Sequence, residues 1–416
     1  MTFTRSEANG TKTWVIAIAM IAFAAVIASP AMQAQTLTVL HNFTGGGDGN
    51  EPLAGVTFDQ QGRIYGTTYE GGSNQEGMVY RLVREGGGWV LSPIYSFGPP
   101  QSGDGNEPLA RVVFGPDGLL YGTTSEGGTE DYGTVFSLQP PASACTTALC
   151  PWRETVLYNF TFNEGGVYPG YGDLVFDRAG NIYGTTFNSS AGGGVVFKLT
   201  RSGSSWTESV LWHFTGGDDG SYPVSGVIFD NAGNLYGTTS DGGSGDGGTV
   251  YELSPTQSGW TETTLYSFGE LNVGVGDGSL IWDAHGDLFG ISGDPFGAGD
   301  SAAYELTPQN GSWSFTQLQE FGNGSTGPVA APTFDSLGNL YGPLPSGGNG
   351  YGEIFKLTPS GNQWLYSSFY QFETCHNQGN GCSPVGAVTF DANGNMYGTT
   401  EAGGSGRGGT VWEITP

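Results

Sequence analysis

Carboxylates are the only chemistry-bearing side chains this sequence supplies in quantity. The four histidines, His41, His213, His285 and His376, stand at unrelated points of the chain. Their spacing assembles neither a Ser/His/Asp nor a Cys/His arrangement, and it gives no convergent set of histidine metal ligands. Acidic residues recur instead. Asp48, Asp104, Asp218, Asp219, Asp246 and Asp277 fall in glycine-rich segments. Carboxylate and carbonyl oxygens suit calcium, so calcium is the one cofactor these segments suggest, without a fixed ligand spacing to define a site. A second series, Asp59, Asp177, Asp230, Asp283, Asp335 and Asp391, precedes short Gly/Asn turns. Turn chemistry explains it: an Asp side chain accepts hydrogen bonds from backbone amides just ahead. In the second copy Gly115 takes this place, and Asp117 is expected to substitute. Two glycine-rich matches, to GxGxxG and to a calcium β-roll, lack their structural context and are set aside.

These side chains are carried by a repeat. Tyr65-Gly66-Thr67-Thr68 returns at Tyr121, Tyr183, Tyr236 and Tyr397, and in altered form at Phe289-Gly290-Ile291-Ser292 and Tyr341-Gly342-Pro343-Leu344. Spacings of 52 to 62 residues with strand-like content signal a propeller or another repeat array. Each unit holds four strand-like runs, as at 226–230, 235–239, 248–253 and 260–268. Alternating apolar residues and Gly/Asn/Asp punctuation favour antiparallel strands throughout. Gly66 and its equivalents leave room for a bulky ring on a facing sheet. A tryptophan marks six of the fourth runs (Trp89, Trp152, Trp206, Trp260, Trp313, Trp364) and is expected in the core between sheets. The chain after residue 34 opens with a fourth-type strand, 37–43, and closes with a third-type strand, 409–414. The first should therefore complete the sheet of the last. The expectation is an all-β, seven-bladed β-propeller of four-stranded antiparallel blades, closed by its N-terminal strand and leaving no exposed terminal repeat.

Blade geometry then sorts the loops. The long, acidic, glycine-rich connections, among them 45–50, 71–77, 216–221 and 242–247, share one face, where variable loops on a rigid scaffold usually carry function. Aligning the residue before each first strand gives Gly55, Arg111, Asp173, Gly226, Ser279, Ala331 and Ala387. Five are small. Arg111 and Asp173 are oppositely charged, in consecutive blades, at the mouth of the central channel. They read either as a structural ion pair or as a polar anchor for a ligand.

Composition narrows the partners. The 75 glycines would suggest disorder, but 13% aromatic residues argue for a folded chain. With 12 basic and 39 acidic residues the net charge is −27, which repels phosphate backbones and anionic membranes; nucleic acid is excluded as a partner. The charge keeps a glycine-rich surface soluble, or attracts cations or a basic ligand. Residues 1–34 have the layout of a secretory signal peptide: Arg5 and Lys12, an apolar run from Trp14 to Ala28, then small residues. That run is short for a membrane span, and none is expected in the mature chain, 35–416. Export makes disulfides plausible. The expected pairs are the local ones, Cys145 with Cys150 and Cys375 with Cys382.

The phrase GVxFDxxGNLYGTT, with GTVFxL and WxExxLYxF, is carried by 226–239, 248–253, 260–268 and their copies. It resembles the GloVer tandem repeat of the choice-of-anchor bacterial family. The resemblance implies an exported propeller-like protein of unestablished function, often with a C-terminal sorting anchor. This sequence stops at Pro416, directly after a core strand, so a secreted or periplasmic protein is expected rather than an anchored one. The resemblance supplies no catalytic residues. The functional expectation is a binding module acting through the acidic loop face, with Arg111, Asp173, Asp48, Asp104, Asp218, Asp219 and Asp277 as candidate ligand contacts. Its partner would be a glycan, a peptide or a surface protein. Exposed Tyr69, Tyr132, Tyr222 and Phe296 could stack on sugar rings. The alternatives are a lyase- or lactonase-like propeller enzyme, with metal and acid/base groups at the channel mouth, and a structural cell-surface protein.

Overall fold

Each repeat forms one four-stranded antiparallel sheet in the computed structural model, which describes residues 35–141, 152–162, 165–269, 278–293, 301–322, 330–375 and 379–415. Seven such sheets make a seven-bladed β-propeller. The expected leader, 1–34, lies outside the described residues. Blade four shows the plan, with Ile228–Phe229 innermost, followed outward by Leu235–Thr239, Asp246–Thr256 and Gly259–Gly269. The inner strand is shorter than the sequence suggested. The chain ahead of it leaves the ladder to touch the neighbouring blade, and a Cβ on Gly226 would lie 2.6 Å from the Asp173 carbonyl oxygen.

The ring closes head to tail. Thr36–Asn42 pairs with Thr410–Thr415, from Thr36↔Thr415 to Asn42↔Thr410, with one bulge between Val39 and His41. The apolar core lies between blades, not within one. At the closing seam Leu40, Phe43 and Val411 from the last blade pack on Val56, Ile64, Met78 and Tyr80 of the first. The recurring tryptophans sit in these seams, Trp152 buried and Trp89 and Trp260 partly so.

The Tyr-Gly-Thr-Thr phrase can now be read atom by atom. The tyrosine hydroxyl donates to the turn aspartate: Tyr65 to Asp59 at 3.0 Å, Tyr183 to Asp177 at 3.0 Å and Tyr341 to Asp335 at 3.1 Å. The other oxygen of each aspartate accepts backbone amides of its turn, as Asp59 does from Gln61 and Arg63. In blade two Asp117 does substitute, accepting from Tyr121 at 2.7 Å and from the Leu119 amide at 3.1 Å. The glycine lies under a ring of its own blade rather than of a facing sheet. Gly66 is in register with Tyr80 and Gly398 with Trp412, and a Cβ at either would collide with that ring. The first threonine crosses to the next blade: Thr67 donates to the Ala110 carbonyl at 3.0 Å, Thr185 to Ser225 at 2.7 Å and Thr399 to Ala54 at 2.8 Å. The second closes its own loop, as Thr68 does on the Glu70 carbonyl at 2.9 Å. One short phrase thus fixes a turn, a ring packing and a link between blades.

Candidate functional site

The long loops are held by a recurring strained residue. Glu51, Glu107, Tyr168, Tyr222 and Ser383 all have φ between 54° and 59°, and each precedes a proline. Left-handed backbone is uncommon outside glycine and persists only where the surroundings enforce it. Here the enforcement is a bond to the preceding blade. The amides donate to the carbonyls of Gly408, Glu76, Tyr132, Gly193 and Tyr351, at 2.7 to 3.0 Å. The prolines that follow, such as Pro52 and Pro108, lead the chain down into the channel mouth.

Six of the seven aligned positions, Gly55, Arg111, Asp173, Ser279, Ala331 and Ala387, line one open recess at that mouth. The seventh, Gly226, packs against Asp173. The structure brings Arg111 and Asp173 together. Asp173 Oδ1 accepts the Arg111 backbone amide at 3.1 Å, and Oδ2 accepts Nε at 2.7 Å and also pairs with Nη2. The carboxylate beside it raises the guanidinium above its ordinary value. Both side chains stay 30% exposed. Two of the five guanidinium N–H donors are committed to the carboxylate. This is also where a blade link is missing: Thr123, the threonine equivalent to Thr67, is buried with its hydroxyl unpaired.

Beside the pair stands Tyr171, 40% exposed, which sequence reasoning did not single out. Its ring centre is 5.3 Å from that of Phe187, which in turn stacks on Tyr222 at 5.0 Å. Tyr132 contacts Phe162 and Tyr168, and Phe162 is 57% exposed. Aromatic residues therefore pair up on the loops of blades two to four, and Tyr171 is the one that lines the recess of the ion pair. Tyr69 lies apart, its hydroxyl donating to Glu107 at 2.9 Å. The only sequence signal for Tyr171 was its place two residues before Asp173.

The other candidate contacts do not join this group. Asp48 accepts the Thr44 amide and hydroxyl, the latter at 2.5 Å, and pairs with His41 at 3.1 Å. Asp219 does the same for Thr215, with Trp212 Nε1 at 3.3 Å. Asp104 accepts Tyr95 and the Gly98 amide, each at 2.7 Å. Each of these carboxylates braces its own loop. Asp218 contributes its backbone carbonyl, to Thr264 at 3.0 Å. Asp277, Phe296, His376, Cys145 and Cys150 lie outside the described residues. Cys375 and Cys382 are disulfide-bonded, with Cα atoms 5.2 Å apart, in a loop on the mouth face. Among the described residues no helix is long and apolar enough to cross a membrane.

The fold and repeat define a propeller repeat protein. The Gloeobacter/Verrucomicrobia repeat matches residues 25–155 and 149–327, and the chain belongs to that family. No curated protein matches it. Among solved structures it is similar to a putative 6-phosphogluconolactonase from Bacteroides uniformis, at 16% identity over 77% of this chain and 84% of that one, with a TM-score of 0.46. It is similar to a putative glucose dehydrogenase from Thermus thermophilus, at 14% identity over 92% and 100%, with a TM-score of 0.43. It is also similar to a family PL25 ulvan lyase bound to a glucuronate–sulfated rhamnose unit, at 13% identity over 87% and 94%, with a TM-score of 0.48. Likenesses at this level bear on neither substrate nor mechanism.

Proposed function

We propose that this chain is an exported binding propeller whose mouth holds the end of a neutral glycan. The observation that carries the reading is the asymmetry of the channel mouth. Among the described residues, five of the seven aligned entries are small, and the other two, Arg111 and Asp173, meet beside the exposed ring of Tyr171 in a lining otherwise of small and aliphatic side chains such as Leu53, Leu109 and Val385. A guanidinium–carboxylate pair offers donors and acceptors side by side, which suits vicinal sugar hydroxyls. An aromatic face beside it suits the apolar face of a sugar ring, as apolar pockets with a few placed polar groups do generally. A neutral ligand also escapes repulsion by a chain of charge −27. The Cys375–Cys382 bond, with the leader-like sequence at 1–34, supports an oxidising compartment outside the cytoplasm.

The test is binding of soluble polysaccharides and a glycan array to the purified protein and two variants. Arg111→Ala and Tyr171→Ala are expected to melt like the wild type and to weaken glycan binding about tenfold or more, a loss of about 1.4 kcal/mol or above. Equal binding by both variants would remove the mouth from the account. Turnover of the bound glycan, read as new reducing or unsaturated ends, would replace the binding module by the lyase- or lactonase-like alternative.

A further inference from the structure

The first turn of blade five departs from the other blades in a way that changes its chemistry. In blades three, four, six and seven, Oδ2 of the turn aspartate receives an asparagine and a tyrosine donor. Asp177 has Asn181 at 2.6 Å and Tyr183 at 3.0 Å; Asp335 has Asn339 at 2.7 Å and Tyr341 at 3.1 Å; Asp230 and Asp391 repeat the pattern. In blade one the donors are Arg63 and Tyr65. Blade five has lost both at once, because residue 287 is an aspartate and residue 289 a phenylalanine. What faces Asp283 Oδ2 instead is His285 Nδ1, at 2.8 Å. Ligand atoms of Asp283, His285 and Asp287 all lie within 4.8 Å of one another. On the adjoining strand, blades one, three and six carry a base at the matching position, Arg81, Lys198 and Lys356, whereas blade five carries Glu305, as blades four and seven carry Glu252 and Glu413.

The geometry points to a divalent transition-metal site formed by Asp283, His285 and Asp287, with Glu305 beside it. Oδ1 of Asp283 is already taken by the amides of His285 and Asp287, at 2.8 and 2.9 Å, which fixes the carboxylate and leaves Oδ2 to the ion. A hydrogen bond now joins Oδ2 and Nδ1 at 2.8 Å, and an ion would displace its proton to take both atoms as ligands. A mixed imidazole and carboxylate set favours zinc or manganese over calcium. The group borders an open recess toward blade six, lined also by Asp335 and Trp364, so water or a ligand could complete the coordination. First turns lie at the end of the blades opposite the channel mouth, so this site is independent of glycan binding.

The experiment titrates chelator-stripped protein with zinc chloride and, separately, manganese chloride, followed by calorimetry and by melting temperature. The wild type is compared with His285→Gln and with Asp287→Asn/Phe289→Tyr, which rewrites the turn as blades three, four, six and seven already carry it. One ion per chain is expected in the wild type, with affinity at least about tenfold weaker in both variants. Metal should raise the melting temperature of the wild type and leave that of the double variant unchanged. The double variant copies a turn this fold already uses, and a metal-free melt at or above that of the wild type shows it intact. His285→Gln alters an exposed side chain and keeps the test open should the double variant misfold. Failure to bind either metal at about 1 mM, or equal affinity in wild type and variants, overturns the site.

Discussion

A chain beginning at residue 44 is expected not to fold. The segment it lacks, Thr36–Asn42 and Phe43, supplies the whole outer strand of the closing blade. Phe43 is fully buried and Leu40 nearly so, in the seam between the last blade and the first. Burying each such side chain contributes about 1.5–3 kcal/mol, and each ladder bond about 1 kcal/mol more. Their sum is comparable with the about 5–15 kcal/mol by which whole domains are stable. The truncated chain would also expose the edge of Thr410–Thr415, a template for aggregation. A milder version is Phe43→Ala, which leaves the ladder intact and should cost about 3–5 kcal/mol. Circular dichroism and size exclusion check both. A truncated protein that stays monomeric and melts cooperatively near the wild-type temperature would contradict head-to-tail closure.

Thermal stability is expected to fall as pH rises from about 5 to about 8.5. Glu154, Glu208 and Glu262 hold the same place on the outer strands of blades two, three and four. Burial pushes Glu154 up to about 8 and the other two up to about 7, from an ordinary 4.5. Asp104 adds to the effect on Glu154 and Asp219 to that on Glu262, while the Tyr158 hydroxyl at 2.6 Å offsets part of it at Glu208. One oxygen of Glu154 and one of Glu208 are buried without a partner. Between pH 4.5 and about 7–8 the folded chain keeps protons that the unfolded chain has released, so each step up in pH favours unfolding. Allowing for partial solvent screening, each glutamate contributes about 1 kcal/mol. The turn aspartates act in the opposite sense. Hydrogen bonds hold Asp59, Asp177, Asp335 and Asp391 below their ordinary value despite burial, and the stability they add is lost only as pH falls through the acid range. Melting temperature should therefore peak in mild acid. The triple variant Glu154→Gln/Glu208→Gln/Glu262→Gln should flatten most of the alkaline decline. A decline of unchanged slope in that variant would assign the effect to the net charge of the whole chain instead.

The fold was legible because its periodic signals are local and repeated seven times. The surplus strand at the head and the missing one at the tail sufficed to pair 37–43 with 409–414, which the register of Thr36–Asn42 bears out. The turn aspartates were legible for the same reason, down to the substitution of Asp117 in blade two. Alignment of first strands also located the channel mouth, since Arg111 and Asp173 meet there. What failed to show in the sequence depends on contacts between blades. The crossing of Thr67 to Ala110 needs the ring curvature before any partner can be named. Tyr171 lies in a loop with no repeat equivalent of its kind, so no pattern exposed it. Asp48, Asp104 and Asp219 looked like free carboxylates because a loop-bracing acid and a ligating acid have the same sequence signature. Glu154, Glu208 and Glu262 did carry a signal: an acid two residues after the tryptophan in three copies, where others place Leu91 or Phe315.

The central claim is that a glycan is held where Arg111, Asp173 and Tyr171 meet at the channel mouth. The most direct measurement is a crystal structure of the protein with the oligosaccharide that binds it most tightly. The account predicts a sugar ring against Tyr171, with its hydroxyls shared between Arg111 and Asp173. A sugar bound elsewhere, with the mouth untouched, would contradict it.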